Sequence, residues 1–410
     1  MTAANKTDLP DIREGNPGGR ALGLYFHIPF CVRKCDYCDF LSFGGISEED
    51  QRSYFRALIR EIEYWARVYN NKYYVDTVFI GGGTPSLVGE SLVSGLMAAI
   101  RDNFNVRRDA EISIESNPKT LTENKLNAYL EAGINRLSIG AQSLEDELLG
   151  RMGRIHTAED FLTNYTLARE CGFRNINIDL MFSIPGQTMG TWMETLGTAI
   201  GLAPEHISFY SLQIEEGTPF FTMFQDGIMK ETDDELDRRM YHDAVDALWA
   251  GGYGHYEVSN AARPGCECRH NLKYWSMDDY LGLGLGAHSF IEGTRFSNTA
   301  VFKEYIQAGG EAIDRRPHLD TASPFVCWSH KNTEQDTIAE FLFTGLRKIK
   351  GVDLKEFEKR FGQSIEAVYS ANWSRIQRYL AEGFLIRSGD NLRLSEKGID
   401  ISNAVLAEFV

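Results

Sequence analysis

The feature that most narrows the possible folds is a regular alternation of short apolar runs with amphipathic stretches through the first half of the chain. Runs at 22–28, 75–80, 110–115, 136–140, 176–181 and 206–212 are mostly apolar and bounded by turn residues, and read as strands. Between them lie helix-like stretches ending at Tyr69 and covering 88–103, 122–132, 158–171 and 188–201. Ser47 followed by Asp50 resembles a capping box, and Gly133 and Gly172 stand where helices should stop. Strands separated by single helices are joined by crossovers and lie parallel. Six such units fall short of the eight of a closed barrel, so the fold class expected is α/β, an open, partial (β/α)6 barrel. Just past the strand ends sit polar, glycine-rich pieces: a cysteine loop, GGGT, ESNP, GAQS and GQT. In parallel barrels the chemistry gathers at that end.

A chain of 410 residues exceeds one ordinary core. A helix at 232–250 closes the alternation, and the boundaries expected are a leader over 1–21, the barrel over 22–252, a barrel-covering extension over 253–330 and a C-terminal unit over 331–410. Within these, 310–335, with Pro317 and Pro324, reads as a linker. The last part reads as helices at 335–349, 353–361 and 366–382, a hairpin near 388–391 and a terminal helix. That is a mostly helical, winged-helix-like domain. Acidic side chains outnumber basic ones, 58 against 42, giving a net charge of −16. Nucleic acid is therefore not the expected partner, and the C-terminal unit reads as a docking module. The leader lacks the apolar run of a secretory signal, and no apolar stretch is long enough to span a bilayer. A cytoplasmic protein that is not an integral membrane protein is expected.

Seven cysteines, an odd number, argue against a disulfide framework. Three of them form Cys31-Val-Arg-Lys-Cys35-Asp-Tyr-Cys38. Three thiolates on one short loop can hold three irons of a cubane and leave the fourth open to a small molecule. The competing reading is structural zinc, which wants four closed ligands, with His27, Cys266 or Cys268 as the fourth. Cys266 and Cys268 read otherwise as ordinary thiols.

The segments YFHIPFCVRKCDYCDF, FIGGGTPS, ISIESNP, RLSIGAQS, NIDLMFSIPGQT and HISFYSLQIEEGTPF resemble the oxygen-independent coproporphyrinogen III oxidase-like family of the radical S-adenosylmethionine superfamily. The resemblance runs from about Leu22 to the C-terminus. It implies a [4Fe–4S] cluster on Cys31, Cys35 and Cys38. S-adenosylmethionine would chelate the open iron and be split by the reduced cluster to a 5′-deoxyadenosyl radical. It also implies a cofactor pocket built from Tyr25, Tyr37, Gly82, Gly83, Thr84, Glu115, Gln142, Arg154 and Asp179. Tyr25 is expected at the end of the first strand.

Three features favour the heme-chaperone group of this family over its porphyrin-synthesis enzyme. Phe40 stands where the enzyme carries a further cysteine, the segment before Tyr25 is short, and HNLKYW at 270–275 matches the group's HNxxYW motif. The resemblance makes His270 the candidate heme ligand, with Tyr274 and Trp275 packing on the macrocycle and Arg269 meeting a propionate. It implies a chaperone that binds heme and transfers it to a heme-accepting protein, such as a respiratory, membrane-associated one. A flavodoxin or ferredoxin would be the electron donor. The alternative is radical decarboxylation of coproporphyrinogen III to protoporphyrinogen IX. Whether S-adenosylmethionine is cleaved in function is left open.

Overall fold

The computed structural model describes residues 19–312 and 323–410. Six parallel strands lie side by side in chain order: β1 (Arg20–Ile28), β2 (Tyr73–Gly82), β3 (Val106–Ser116), β4 (Arg136–Gln142), β5 (Ile176–Phe182) and β6 (His206–Ser211). The crossovers carry helices α1 (Glu48–Tyr69), α2 (Glu90–Asn103), α3 (Glu123–Glu131), α4 (Ala158–Cys171) and α5 (Met189–Gly201). Local chemistry sets the helix limits. The Ser47 side chain accepts from the Asp50 amide at the start of α1, and Thr157 with Asp160 forms a capping box at the start of α4. Gly172 ends α4 at φ 114°, a conformation that glycine adopts without strain.

Strand alternation then sorts the side chains. Leu22, Leu24, Phe26, Val78, Ile80, Ile112, Ile114, Leu137 and Ile139 are buried in the core shared with the helices. The intervening residues, among them Tyr25, Phe79, Glu115, Ser138 and Asp179, line the barrel interior. A packed apolar wall thus encloses a polar lumen.

The barrel does not close. Beyond β1 the sheet continues through Tyr280–Leu283, parallel to β1, and then antiparallel through His288–Ile291, Thr294–Asn298 and Val326–Lys331. Beyond β6 it continues through Asn260–Ala262 and Gly254–Glu257. The open, partial barrel expected from the alternation is what forms. Glu61 of α1 ties the first extension to the barrel. Its buried carboxylate accepts from the Gly284 amide at 2.8 Å, Asn298 Nδ2 at 2.6 Å and the Tyr305 hydroxyl at 2.5 Å. Burial pushes this carboxyl up to about 7, against the lowering effect of those hydrogen bonds.

Three sequence expectations need correction or bounding. The leader lies outside the described residues up to 18, and Arg20 and Ala21 already belong to β1. The linker expected over 310–335 is not one throughout: Val326–Lys331 is an edge strand paired with Thr294–Asn298, while 313–322 lies outside the described residues. Both faces of that strand are largely solvent-exposed, as befits a sheet edge. The helix expected over 366–382 is two helices, Ile365–Val368 and Trp373–Ala381, and the terminal one is also divided, into Glu396–Asp400 and Ser402–Leu406.

The C-terminal region is mainly helical, with a small sheet in the order Val352–Asp353, Asn391–Leu394, Leu385–Ser388. Phe341, Phe357, Ile376, Leu392 and Phe409 join it to one continuous hydrophobic cluster with the barrel. Among the described residues no helix is long and apolar enough to cross a membrane.

Candidate functional site

The cysteine loop leaves the C-terminal end of β1. Cys31, Cys35 and Cys38 are all half-buried, and a turn with the Cys38 amide on the Cys35 carbonyl at 3.2 Å folds the loop back on itself. The end of β2 meets it at close quarters. A Cβ on Gly83 would lie 2.8 Å from the Phe30 carbonyl oxygen and 3.0 Å from Cys31 Sγ, so only glycine lets this turn approach the thiol. Gly82 has φ 116°, and Thr84 is buried with its hydroxyl 3.6 Å from Cys31 Sγ.

Two side chains bind this corner to the neighbouring strand ends. Asn117, just past β3, donates to Thr84 Oγ1 at 2.8 Å and accepts from Arg154 Nη2 at 2.7 Å. Arg154 also donates to the Gly140 carbonyl at 2.7 Å and brings Nη1 to 3.7 Å from Cys35 Sγ. Its guanidinium is therefore placed against a cysteine rather than free for a carboxylate. Gln142 ends β4 with φ 63°, its amide turned towards Gly140. Tyr37 packs against Phe220, with ring centroids 6.4 Å apart.

Tyr25 lies three residues before the end of β1, not at it, because the strand runs on to Ile28. Its hydroxyl is 3.0 Å from His27 Nδ1 and its ring stacks on Phe79. Below, Glu115 accepts from the Gly82 amide at 3.1 Å, and Asp179 accepts from Ser138 at 2.7 Å and from Asn177 at 2.8 Å. Burial, reinforced by the Asp179 charge, pushes the Glu115 carboxyl up to about 8. The residues expected to form one pocket thus fall into two connected groups. Tyr37, Gly83, Thr84 and Arg154 surround the cysteines, while Tyr25, Glu115 and Asp179 lie in the lumen. Phe79, Arg136, Tyr210 and Asn117 share these sites but were not singled out in the sequence.

The opposite end of the lumen is plugged by helix Arg269–Ser276, which carries HNLKYW. Glu111 of β3 accepts from the amides of Arg269 and His270, both at 3.1 Å, capping the helix start with a carboxylate. Lys273 pairs with Asp76 at 2.9 Å, and Arg347 of the C-terminal region lies over the Trp275 ring, 5.4 Å from its centroid. His270 has no exposed surface. Its Nδ1 is 2.8 Å from Thr77 Oγ1, its Nε2 is 2.9 Å from the Tyr274 hydroxyl, and its ring stacks on Phe79. Burial, helped by Lys273 and Arg136, lowers its pKa to about 3. Both ring nitrogens of His270 are thus engaged in this structure, and the residue lines the lumen together with Asn271 and Tyr274. Arg269 donates to the Asp109 carbonyl instead of standing free for a propionate. Cys268 is buried beside Glu111, and burial pushes its thiol up to about 12.

Comparison with known proteins bears on this arrangement directly. The Radical SAM superfamily matches residues 25–199, and the HemN C-terminal domain matches residues 332–401. A protein named heme chaperone HemW from Bacillus subtilis is 38% identical over 94% of this chain and 98% of its own length. The chain belongs to the HemW group of the radical SAM superfamily. Haemophilus influenzae HemW is 33% identical over 95% of the chain and 98% of its own length. The mitochondrial radical S-adenosyl methionine domain-containing protein 1 of Bos taurus is 31% identical over 96% and 88%. Among solved structures, the coproporphyrinogen III oxidase HemN of Escherichia coli superposes with a TM-score of 0.82 at 23% identity, over 96% of this chain and 90% of that one. That likeness establishes the shared fold.

Membership of the superfamily implies a [4Fe–4S] cluster and S-adenosylmethionine, and the residues present fit both. Three half-buried thiols on one turn, beside a glycine cradle, are the donor set that a cubane with one open iron requires. Among the described residues no three metal-binding side chains converge as on a single ion. A closed zinc site would need such convergence, whereas thiolates around a cubane stand further apart. Burial pushes the Cys38 thiol up to about 11, so its ligating form depends on the positive charge of a bound iron.

Proposed function

We propose that this protein is a heme chaperone: it binds heme and passes it to an acceptor protein, with a [4Fe–4S] cluster on Cys31, Cys35 and Cys38. The observation that carries the reading is the match to curated heme chaperones along almost the whole chain, 38% identical to one of them. Phe40 in place of a further cysteine supports the same choice against porphyrin synthesis. When bound, the cluster supplies a one-electron reductant with an open iron for S-adenosylmethionine.

The chain's own residues have separable tasks in this reading. Gly82 and Gly83 bring the backbone against the cluster loop, and Thr84, Asn117 and Arg154 hold that corner together. Tyr25, Tyr37 and Gln142 wall the cofactor pocket. Glu115 and Asp179 accept hydrogen bonds in the lumen, Glu115 largely in its protonated form near neutral pH. The acceptor is proposed to be a respiratory heme protein at the membrane, met from the cytoplasm, and the electron donor a flavodoxin or ferredoxin.

The test has two arms. Heme-loaded protein is mixed with apomyoglobin and transfer is followed by the visible spectrum. In parallel, the reconstituted protein is incubated anaerobically with S-adenosylmethionine, a reductant and coproporphyrinogen III. Heme transfer without a vinyl product supports the chaperone reading. Protoporphyrinogen formation would overturn it in favour of the oxidase.

A further inference from the structure

We propose that Arg136, deep in the lumen, binds a propionate of heme. This rests on the chaperone reading above and gives the cargo one anchor within the barrel. Arg136 opens β4 at the level of Ser113, one layer of the barrel below Glu115 and Ser138. It lines a cavity of about 190 Å³ together with Ser138, Asn177, Asp179 and, from the helix Arg269–Ser276, Asn271 and Tyr274. The cavity is open on one side rather than enclosed.

Three observations point to a carboxylate as the partner Arg136 lacks. First, the residue is 2% exposed, and among the described residues no hydrogen bond or ion pair reaches its guanidinium, Nε included. A buried cation without a hydrogen-bonded counter-ion is costly, and a carboxylate matched to the guanidinium fork removes that cost. Second, the nearby carboxylates are engaged elsewhere. Glu111 and Asp179 act on Arg136 through charge alone. Glu111 accepts from the Arg269 and His270 amides and lies 3.6 Å from Cys268 Sγ, while Asp179 accepts from Ser138 and Asn177. Third, the position suits the cargo rather than the cofactor. Four steps along β4, about 13 Å of strand, separate Arg136 from Gly140, whose carbonyl Arg154 holds beside the cysteines. The S-adenosylmethionine carboxylate is needed at that far end, on the open iron. A cavity of about 190 Å³ takes a propionate arm and leaves the macrocycle at its mouth, since pockets for whole ligands run to about 300–1,000 Å³.

The test titrates the cluster-reconstituted protein with hemin and with hemin dimethyl ester, whose propionates carry no charge. Wild type should bind hemin about tenfold more tightly than the diester, the worth of one charged hydrogen-bonded pair. Arg136→Met keeps a long side chain without charge; it should bind the two forms equally, with the cluster's iron content unchanged. Arg136→Lys keeps the charge and loses the paired donors, so its preference should fall between the two, and it is the variant read if the methionine does not fold. Arg269→Met, at the start of the neighbouring helix, should keep the wild-type preference. Hemin bound by wild type with no preference for the free acid, or a preference that survives Arg136→Met, would overturn the assignment and leave the chaperone reading standing. If S-adenosylmethionine binding falls in Arg136→Met while the hemin preference stays, the guanidinium serves that carboxylate instead and the proposal fails. No heme binding by wild type would overturn both readings.

Discussion

Replacing His270 separates a structural plug from a heme ligand by a measurable free energy. In His270→Ala the Thr77 hydroxyl and the Tyr274 hydroxyl each lose a partner in a buried setting, 2.8 and 2.9 Å from the ring nitrogens they now meet. A buried polar group left without a partner costs about 1–3 kcal/mol. Loss of the ring stacked on Phe79 adds about 0.5–1.5 kcal/mol. The variant should therefore be destabilised by about 4 kcal/mol in urea unfolding at pH 7, a large share of a typical folding free energy. A second readout comes from protons. The unfolded imidazole takes up a proton near pH 6.5, whereas the folded one stays neutral until about pH 3. Its contribution is therefore present above pH 6.5 and is lost as pH falls through that window. The stability gap between wild type and His270→Phe should narrow by about 2 kcal/mol from pH 6.5 to 5, at about 1.4 kcal/mol per pH unit. Heme affinity should stay within about twofold of wild type. Unchanged stability together with lost heme binding would refute the plug and restore His270 as the ligand.

Other expectations follow from single distances. Cys35→Ala should remove the cluster, read as loss of iron and of the brown chromophore after reconstitution; full iron content would refute three-cysteine ligation. Gly83→Ala places a methyl 2.8 Å from the Phe30 carbonyl oxygen, so cluster occupancy should fall severalfold with the fold retained by circular dichroism. Normal iron content in that variant would show that the turn does not constrain the loop. Glu61→Gln sets an amide donor among three donors, from Gly284, Asn298 and Tyr305, and should cost about 2–3 kcal/mol. Because burial raises the Glu61 carboxyl to about 7, its contribution is full below pH 4.5 and is lost as pH rises through 7. Wild-type stability should show that decline and Glu61→Gln should not; equal profiles would contradict it.

The barrel was legible because each strand carries its own apolar run and four of the five crossover helices start on a side-chain cap. Ser47 and Gly172 act where local sequence places them. Glu115 and Asp179 were named through the family resemblance, and the structure puts both on the lumen side of their strands. Asn117 was hidden because its role is to join Thr84 to Arg154, residues far away in the chain. The same holds for His270. Its contacts with Thr77 and Glu111 come from two other strands and leave no mark in the local sequence.

The central claim is tested most directly by anaerobic titration of the cluster-reconstituted protein with hemin, followed in the visible spectrum beside a coproporphyrinogen III turnover assay. Saturation at about one heme per chain without vinyl product is the expected result. Turnover with no saturable heme binding would contradict the account and make the chain a porphyrin-synthesis enzyme.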